Sequence, residues 1–178
     1  MIYTSGGSSF LCTGTLLNDT DGSTFIPYFL TANHCISTSQ EASSLNTFWM
    51  YQYTTCGGSV PASGAQLTSG AALLSTSTIT DFTLLRLNSS APAGAVFAGW
   101  TTTTPSNNTP MVALHHPAGD FKKISFGVID GVSQLGGPVT GSGDFLNVHF
   151  DAGVVEPGSS GSGVFIASTR QLVGQLYG

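Results

Sequence analysis

Three side-chain types in this sequence suit nucleophilic acyl chemistry: an imidazole, a carboxylate and a hydroxyl, each at the edge of an apolar or glycine-rich segment. His34 lies in Thr31-Ala32-Asn33-His34-Cys35, directly after the apolar run Tyr28-Phe29-Leu30. A general base needs a fixed ring, and the end of a strand anchored in a core provides one. Asp81 heads Asp81-Phe82-Thr83-Leu84-Leu85-Arg86-Leu87. A carboxylate held there can accept a hydrogen bond from an imidazole, fix its tautomer and stabilise the imidazolium that forms. Ser160 sits in Glu156-Pro157-Gly158-Ser159-Ser160-Gly161-Ser162-Gly163. The glycines let the backbone turn sharply and approach a substrate carbonyl, so the Gly158 and Ser160 N–H groups are candidates for an oxyanion hole.

Taken singly, each segment has an ordinary reading: a histidine beside a cysteine, an aspartate capping a turn, a Gly-Ser turn. Taken together they form a distribution. Strand-length apolar runs near Ser9–Leu17, Phe25–Ala32, Leu45–Tyr53, Ala65–Ser75 and Phe82–Leu87 make a first series that carries His34 and Asp81. Runs near Met111–His115, Lys123–Ile129, Phe145–Phe150, Gly163–Ala167 and Gln171–Leu176 make a second that carries Ser160. Bulky residues throughout Leu45–Tyr53 and Phe82–Leu87 predict strands covered on both faces. The Ser-, Thr- and Pro-rich stretch between the series, around Val96–Trp100, reads as a crossover. No repeat and no amphipathic helix stands out. Short, regularly spaced strands predict an all-β chain of two packed antiparallel β-barrels. The expected divisions are residues 1–92, a linker at 93–110, and a second barrel at 111–178.

Composition narrows the function classes. Charged residues are 7% of the 178 and apolar ones 40%, a balance that favours a packed core. A net charge of −5 with four Lys plus Arg cannot build the basic stripe that nucleic acid requires. The apolar runs are strand-sized and no membrane span is expected. Three cysteines, Cys12, Cys35 and Cys56, leave one unpaired within this chain. Cys35 could be tied to Cys12, stapling two strands beside the histidine.

On these segments the chain resembles the chymotrypsin- and trypsin-like serine proteases. Residues 31–35 are similar to their Thr-Ala-x-His-Cys box, 81–87 to the aspartate box, and Gly158-Ser159-Ser160-Gly161-Ser162 to the nucleophile box. The order His, Asp, Ser is also that of the chymotrypsin template. Cys12-Thr13-Gly14-Thr15-Leu16-Leu17-Asn18, His115-His116-Pro117, Glu156–Ser162 and Gly174-Gln175-Leu176 resemble the bacterial lysyl endopeptidase branch more narrowly. The resemblance implies a His34-Asp81-Ser160 triad, a Gly158/Ser160 oxyanion hole and a Cys12–Cys35 disulfide. It implies a secreted, extracellular, bacterial, monomeric endopeptidase acting on polypeptides without cofactor or metal. It further implies a longer parent, with a partner for Cys56 before Met1 and a specificity-pocket wall after Gly178, which leaves the second barrel truncated. Ser159 stands where trypsin-like zymogens place the acid that pairs with a freed N-terminus, so that ion pair is not expected. Tyr177 replaces a small serine and is expected to reach or cover Asp81.

The remaining candidates read as structural. Adjacent His115 and His116 on a strand point to opposite faces and rarely share a metal. His149 is expected on a sheet surface, Asp120 in a turn, Lys122 and Lys123 at a solvated strand end. Trp49, Tyr51 and Tyr53 are expected to pack on one strand face. The rival from another class is a protease-like secreted binding or adhesin module without catalysis, which the three intact boxes disfavour.

Overall fold

A computed structural model describes residues 1–21, 23–134 and 144–177. In chain order its strands are β1 (Ile2–Ser5), β2 (Ser8–Leu11), β3 (Thr15–Leu17), β4 (Tyr28–Ala32), β5 (Thr47–Trp49), β6 (Ala65–Leu67), β7 (Ala71–Ser77), β8 (Phe82–Leu87), β9 (Pro110–His115), β10 (Lys123–Gln134), β11 (Asp144–Ala152), β12 (Gly163–Ile166) and β13 (Leu172–Gln175). Every strand pair is antiparallel. The all-β reading therefore holds. Two sheets dominate: β3-β4-β8-β7, and β11-β10-β9-β12-β13. Among the described residues each runs from edge to edge without a closing pair, so the barrels appear as open sheets.

Alternation sets which side chains build each core. In β8, Thr83, Leu85 and Leu87 are buried while Arg86 is exposed. The expected burial of both faces is thus realised on one face only. Leu85 and Leu87 join Leu16, Phe29, Ala32 and Ile36 in the first core. In β9, Met111, Ala113 and His115 point inward, and Met111 and Ala113 meet Ile129 and Val164 in a second core. The crossover stitches the two sheets together. Ala98 bridges Leu17 of β3, and Trp100 bridges Leu172 of β13.

Two local expectations fail for physical reasons. The run Leu45–Tyr53 is not a strand covered on both faces. Pairing stops at Trp49, because Met50 takes φ 50° and breaks the alternation. Phe48 is exposed. Trp49 packs edge-on against Phe29, while Tyr51 and Tyr53 leave that face to stack on Phe121. Second, a short helix α1 (Ser39–Ser43) forms where none was expected. Its signal is the capping box Thr38-Ser39-Gln40-Glu41, too short to show a period. The Thr38 hydroxyl accepts from the Glu41 amide, and the Glu41 carboxylate accepts from the Ser37 and Thr38 amides and the Ser5 hydroxyl.

Partial burial pushes the Glu41 carboxyl upward, but those hydrogen bonds outweigh it and hold the group below the ordinary value of 4.5. Its contribution is therefore full above pH 4.5 and lost as pH falls through the lowered folded value. Glu41→Ala is expected to cost about 1 kcal/mol at neutral pH. The gap from wild type should shrink in acid, read from urea unfolding midpoints across pH 3–7.

Candidate active site

The register Ala32↔Phe82 between β4 and β8 brings His34 and Asp81 side by side just beyond the paired strands. The Asn33 amide donates to the Asp81 carbonyl at 2.9 Å. The Asp81 carboxylate then holds His34 twice: one oxygen accepts the His34 amide at 2.9 Å, the other faces Nδ1 at 2.8 Å. Asp81 achieves this at φ 50°, a left-handed conformation that aspartate tolerates better than most residues. The carboxylate is buried, whereas the imidazole is 40% exposed. With Nδ1–H donating to Asp81, the tautomer assigned from this network leaves Nε2 free as a base on the open side.

Asp81 is also reached from the second sheet. Gln175 of β13 donates Nε2–H to the Asp81 carbonyl at 2.7 Å. The Tyr177 ring stands edge-on to the His34 ring at 5.5 Å, with Phe145 behind it at 6.0 Å. Tyr177 thus lies against the imidazole, and the contact to Asp81 comes from Gln175.

Ser160 enters the same place through its backbone. The Thr13 amide donates to the Ser160 carbonyl at 2.8 Å, and the Thr13 hydroxyl donates to the Gly158 carbonyl at 2.7 Å. Thr13 follows Cys12, whose disulfide to Cys35 lies within 4.8 Å of the His34 ring nitrogen. Gly161 has φ +81°, and a Cβ there would collide with the Thr31 hydroxyl and the Thr13 carbonyl. Gly158, at φ +98°, would bring a Cβ within 3.0 Å of the His116 carbonyl. Among the described residues the Gly158 and Ser160 amides have no protein acceptor, and no hydrogen bond joins the Ser160 hydroxyl to the His34 ring.

The other candidates separate as their strand positions require. His115 is buried, whereas His116 turns out against Tyr51 at 5.8 Å. Desolvation lowers the His116 pKa to about 4, against the hydrogen bond to the Asp120 carbonyl that raises it. The Cys12 and Cys35 sulfurs are bonded to each other and offer no thiolate to a metal. His149 is exposed beside Asp151. Asp120 caps a turn and pairs with Lys123 at 3.0 Å, and Lys122 donates to Gln52. Sequence reasoning assigned no role to Thr13, Thr31 or Gln175. Thr13 and Gln175 lie inside segments that marked the family, but a hydrogen-bonding threonine or glutamine has no spacing signature.

These sheets, with His34 and Asp81 on one and the Ser160 turn on the other, define a chymotrypsin-like protease fold. Solved structures share it. An HtrA-type protease with a tripeptide aligns with TM-score 0.64 at 17% identity, over 96% of this chain and 47% of that one. The MamO protease domain of Magnetospirillum magneticum gives 0.61 at 15% identity, over 99% and 82%. The active form of the Rv3671c protease from M. tuberculosis gives 0.60 at 15%, over 99% and 68%. A family model for the C-terminal domain of lysyl endopeptidase matches residues 1–178. Lysyl endopeptidase of Pseudomonas aeruginosa is 39% identical over 186 residues, covering 100% of this chain and 39% of that protein. The chain belongs to the lysyl endopeptidase family and spans about two fifths of the length of this curated relative.

The close approach at Gly161 gives a stability test. Gly161→Ala adds a methyl group where a hydroxyl and a carbonyl already sit, at a strained φ, and should cost about 2 kcal/mol or more. Gly99→Ala, where a Cβ meets nothing within 4 Å, should change stability by less than ~0.5 kcal/mol. Denaturant midpoints of the two variants check the contrast.

Proposed function

We propose that the protein is a secreted bacterial serine endopeptidase with His34, Asp81 and Ser160 as its triad. The observation that carries the reading is the two-point hold of Asp81 on His34 beside the backbone-docked Ser160 turn. Ser160 Oγ attacks the scissile carbonyl carbon while His34 Nε2 takes its proton. The oxyanion settles on the Gly158 and Ser160 amides, whose N–H groups no protein acceptor occupies. The C–N bond then breaks, His34 returns the proton to the leaving amine, and an acyl-enzyme remains. Water, deprotonated by His34, releases the acid. Hydrogen bonds between a nucleophile and its base are often long or poorly aligned before substrate binds and tighten in the complex, which is how Ser160 and His34 are joined in this proposal.

Lysine preference is part of this proposal and rests on the family alone. The monomeric state rests there too, while the extracellular location is also favoured by the Cys12–Cys35 disulfide. The division into residues 1–92, 93–110 and 111–178 is supported by the two separate cores.

In the full-length protein, Ser160→Ala should abolish both peptide cleavage and labelling by a serine-directed phosphonate. Asp81→Asn should lower kcat by roughly 10⁴ while preserving the fold. Labelling that persists undiminished in Ser160→Ala would remove Ser160 from the mechanism.

A further inference from the structure

His115 takes no part in the proton transfers above, yet it is fully buried under the nucleophile turn. Its Nδ1 lies 2.8 Å from the Ser159 hydroxyl and its Nε2 lies 2.9 Å from the Ser125 hydroxyl. Ser159 and Ser125 are each 1% exposed. Ser159 stands between Gly158 and Ser160, and its hydroxyl also accepts the Glu156 amide at 3.3 Å. One donor order uses both ring nitrogens and the Ser159 hydroxyl: Glu156 N–H to Ser159 Oγ, Ser159 O–H to His115 Nδ1, and His115 Nε2–H to Ser125 Oγ. That order requires a neutral imidazole. Desolvation lowers the His115 pKa below the ordinary imidazole value, against the opposing field of Glu156.

Contacts from the turn after β9 and from within the nucleophile turn orient the two candidate amides. In a trans peptide the C=O and the following N–H point in opposite directions, so holding the carbonyl aims the amide. The Pro157 carbonyl accepts the Ala118 amide at 2.7 Å, which aims the Gly158 N–H. The Ser159 carbonyl accepts the Ser162 hydroxyl at 2.6 Å and the Ser162 amide at 3.0 Å, which aims the Ser160 N–H. Between these two planes lies Gly158, which has no side chain to resist rotation. The peptide between these planes is held by the Thr13 hydroxyl on the Gly158 carbonyl and by the Ser159 amide on the Glu156 carbonyl, and the His115–Ser159 hydrogen bond is the one hold on the side chain that stands between the two amides.

We propose that His115 is a positioning residue: through the Ser159 hydroxyl it locks the nucleophile turn so that the Gly158 and Ser160 amides converge on one point. It is a neutral latch at the position where an ion pair was ruled out by the serine at 159. The proposal rests on the serine-protease reading above and adds to it a residue that touches neither substrate nor triad.

The test uses the full-length protein, with kcat expressed per phosphonate-titrated site so that misfolded protein does not count. Ser159→Ala and His115→Leu should each lower kcat about ten- to hundredfold with KM within twofold. The affinity for a peptide aldehyde, whose hemiacetal oxygen occupies the oxyanion position, should fall by the same factor. His115→Asn, which keeps a polar atom near Nδ1, should retain most of kcat, whereas His115→Gln, which reaches toward Ser125, should not. Ser159→Ala removes a single oxygen and keeps the packing, so it decides the matter if His115→Leu does not fold. A kcat per titrated site within twofold of wild type in Ser159→Ala, or equal losses in the Asn and Gln variants, would overturn the latch alone. A wild-type protein that neither cleaves nor titrates would overturn the protease reading, and the latch with it.

Discussion

Everything in the site hangs on one buried threonine. In the proposed mechanism a base on one sheet and a nucleophile on another must be held to within a fraction of an ångström, and side-chain packing alone is too soft for that. Thr13 supplies three polar groups and commits all of them. Its amide donates to the Ser160 carbonyl, its hydroxyl to the Gly158 carbonyl, and its own carbonyl accepts the Thr31 hydroxyl. Two of these bonds reach the nucleophile turn, and the third returns to β4, three residues before His34. The adjacent Cys12–Cys35 disulfide ties the same segment to the residue after His34. The frame of the first sheet is thereby carried to the turn that bears Ser160 by one backbone–backbone bond and two bonds from threonine hydroxyls to backbone carbonyls.

A second crossing contact comes from Gln175. Gln175 delivers its N–H to the Asp81 carbonyl, but its own Oε1 is buried without a partner. Gln175 lines a largely apolar cavity of about 610 Å³ between the sheets, together with Leu30, Met111 and Val173. A buried acceptor left unpaired costs about 1–3 kcal/mol. The Asp81 carbonyl already has the Asn33 amide as a donor. The additional bond from Gln175 gives the aspartate loop a direct tie to β13, so β8 and β13 cannot shift independently around Asp81.

The sequence was informative where chemistry demands a residue type and uninformative where geometry alone decides. His34, Asp81 and Ser160 stand in local boxes whose composition reflects their environment: an apolar strand before or after the polar group, or glycines around it. The cysteine staple was legible for the same reason. The strand ends were less so. The aromatic run through Tyr53 looks like one strand, and only the left-handed backbone at Met50 ends it, a feature no side chain there announces. The helix at Ser39–Ser43 was carried by a four-residue capping signal too brief to register as a period. Tyr177 was placed in the right neighbourhood, but its edge-on contact with the His34 ring could not be read from residue type. The Thr13 hub escaped altogether, since its importance lies in three hydrogen bonds to segments far apart in the chain.

Low charge gives the site its electrostatic character. Among the described residues, Asp81 is the one acidic or basic side chain of the Asp, Glu, Lys and Arg set in the buried class. A buried carboxylate is costly unless its oxygens are satisfied, and here both are taken by His34, one by its amide and one by its ring. The field that an imidazolium at His34 would feel is thus dominated by one fixed charge at hydrogen-bond distance. A latch of hydroxyls and a neutral imidazole under the nucleophile turn adds no competing charge to that field. An acidic residue there would need a cationic partner to offset its charge beside the proposed oxyanion position, and a serine needs none. In the proposed mechanism the serine at 159 therefore serves the rigidity of the turn and leaves stabilisation of charge to the Gly158 and Ser160 amides.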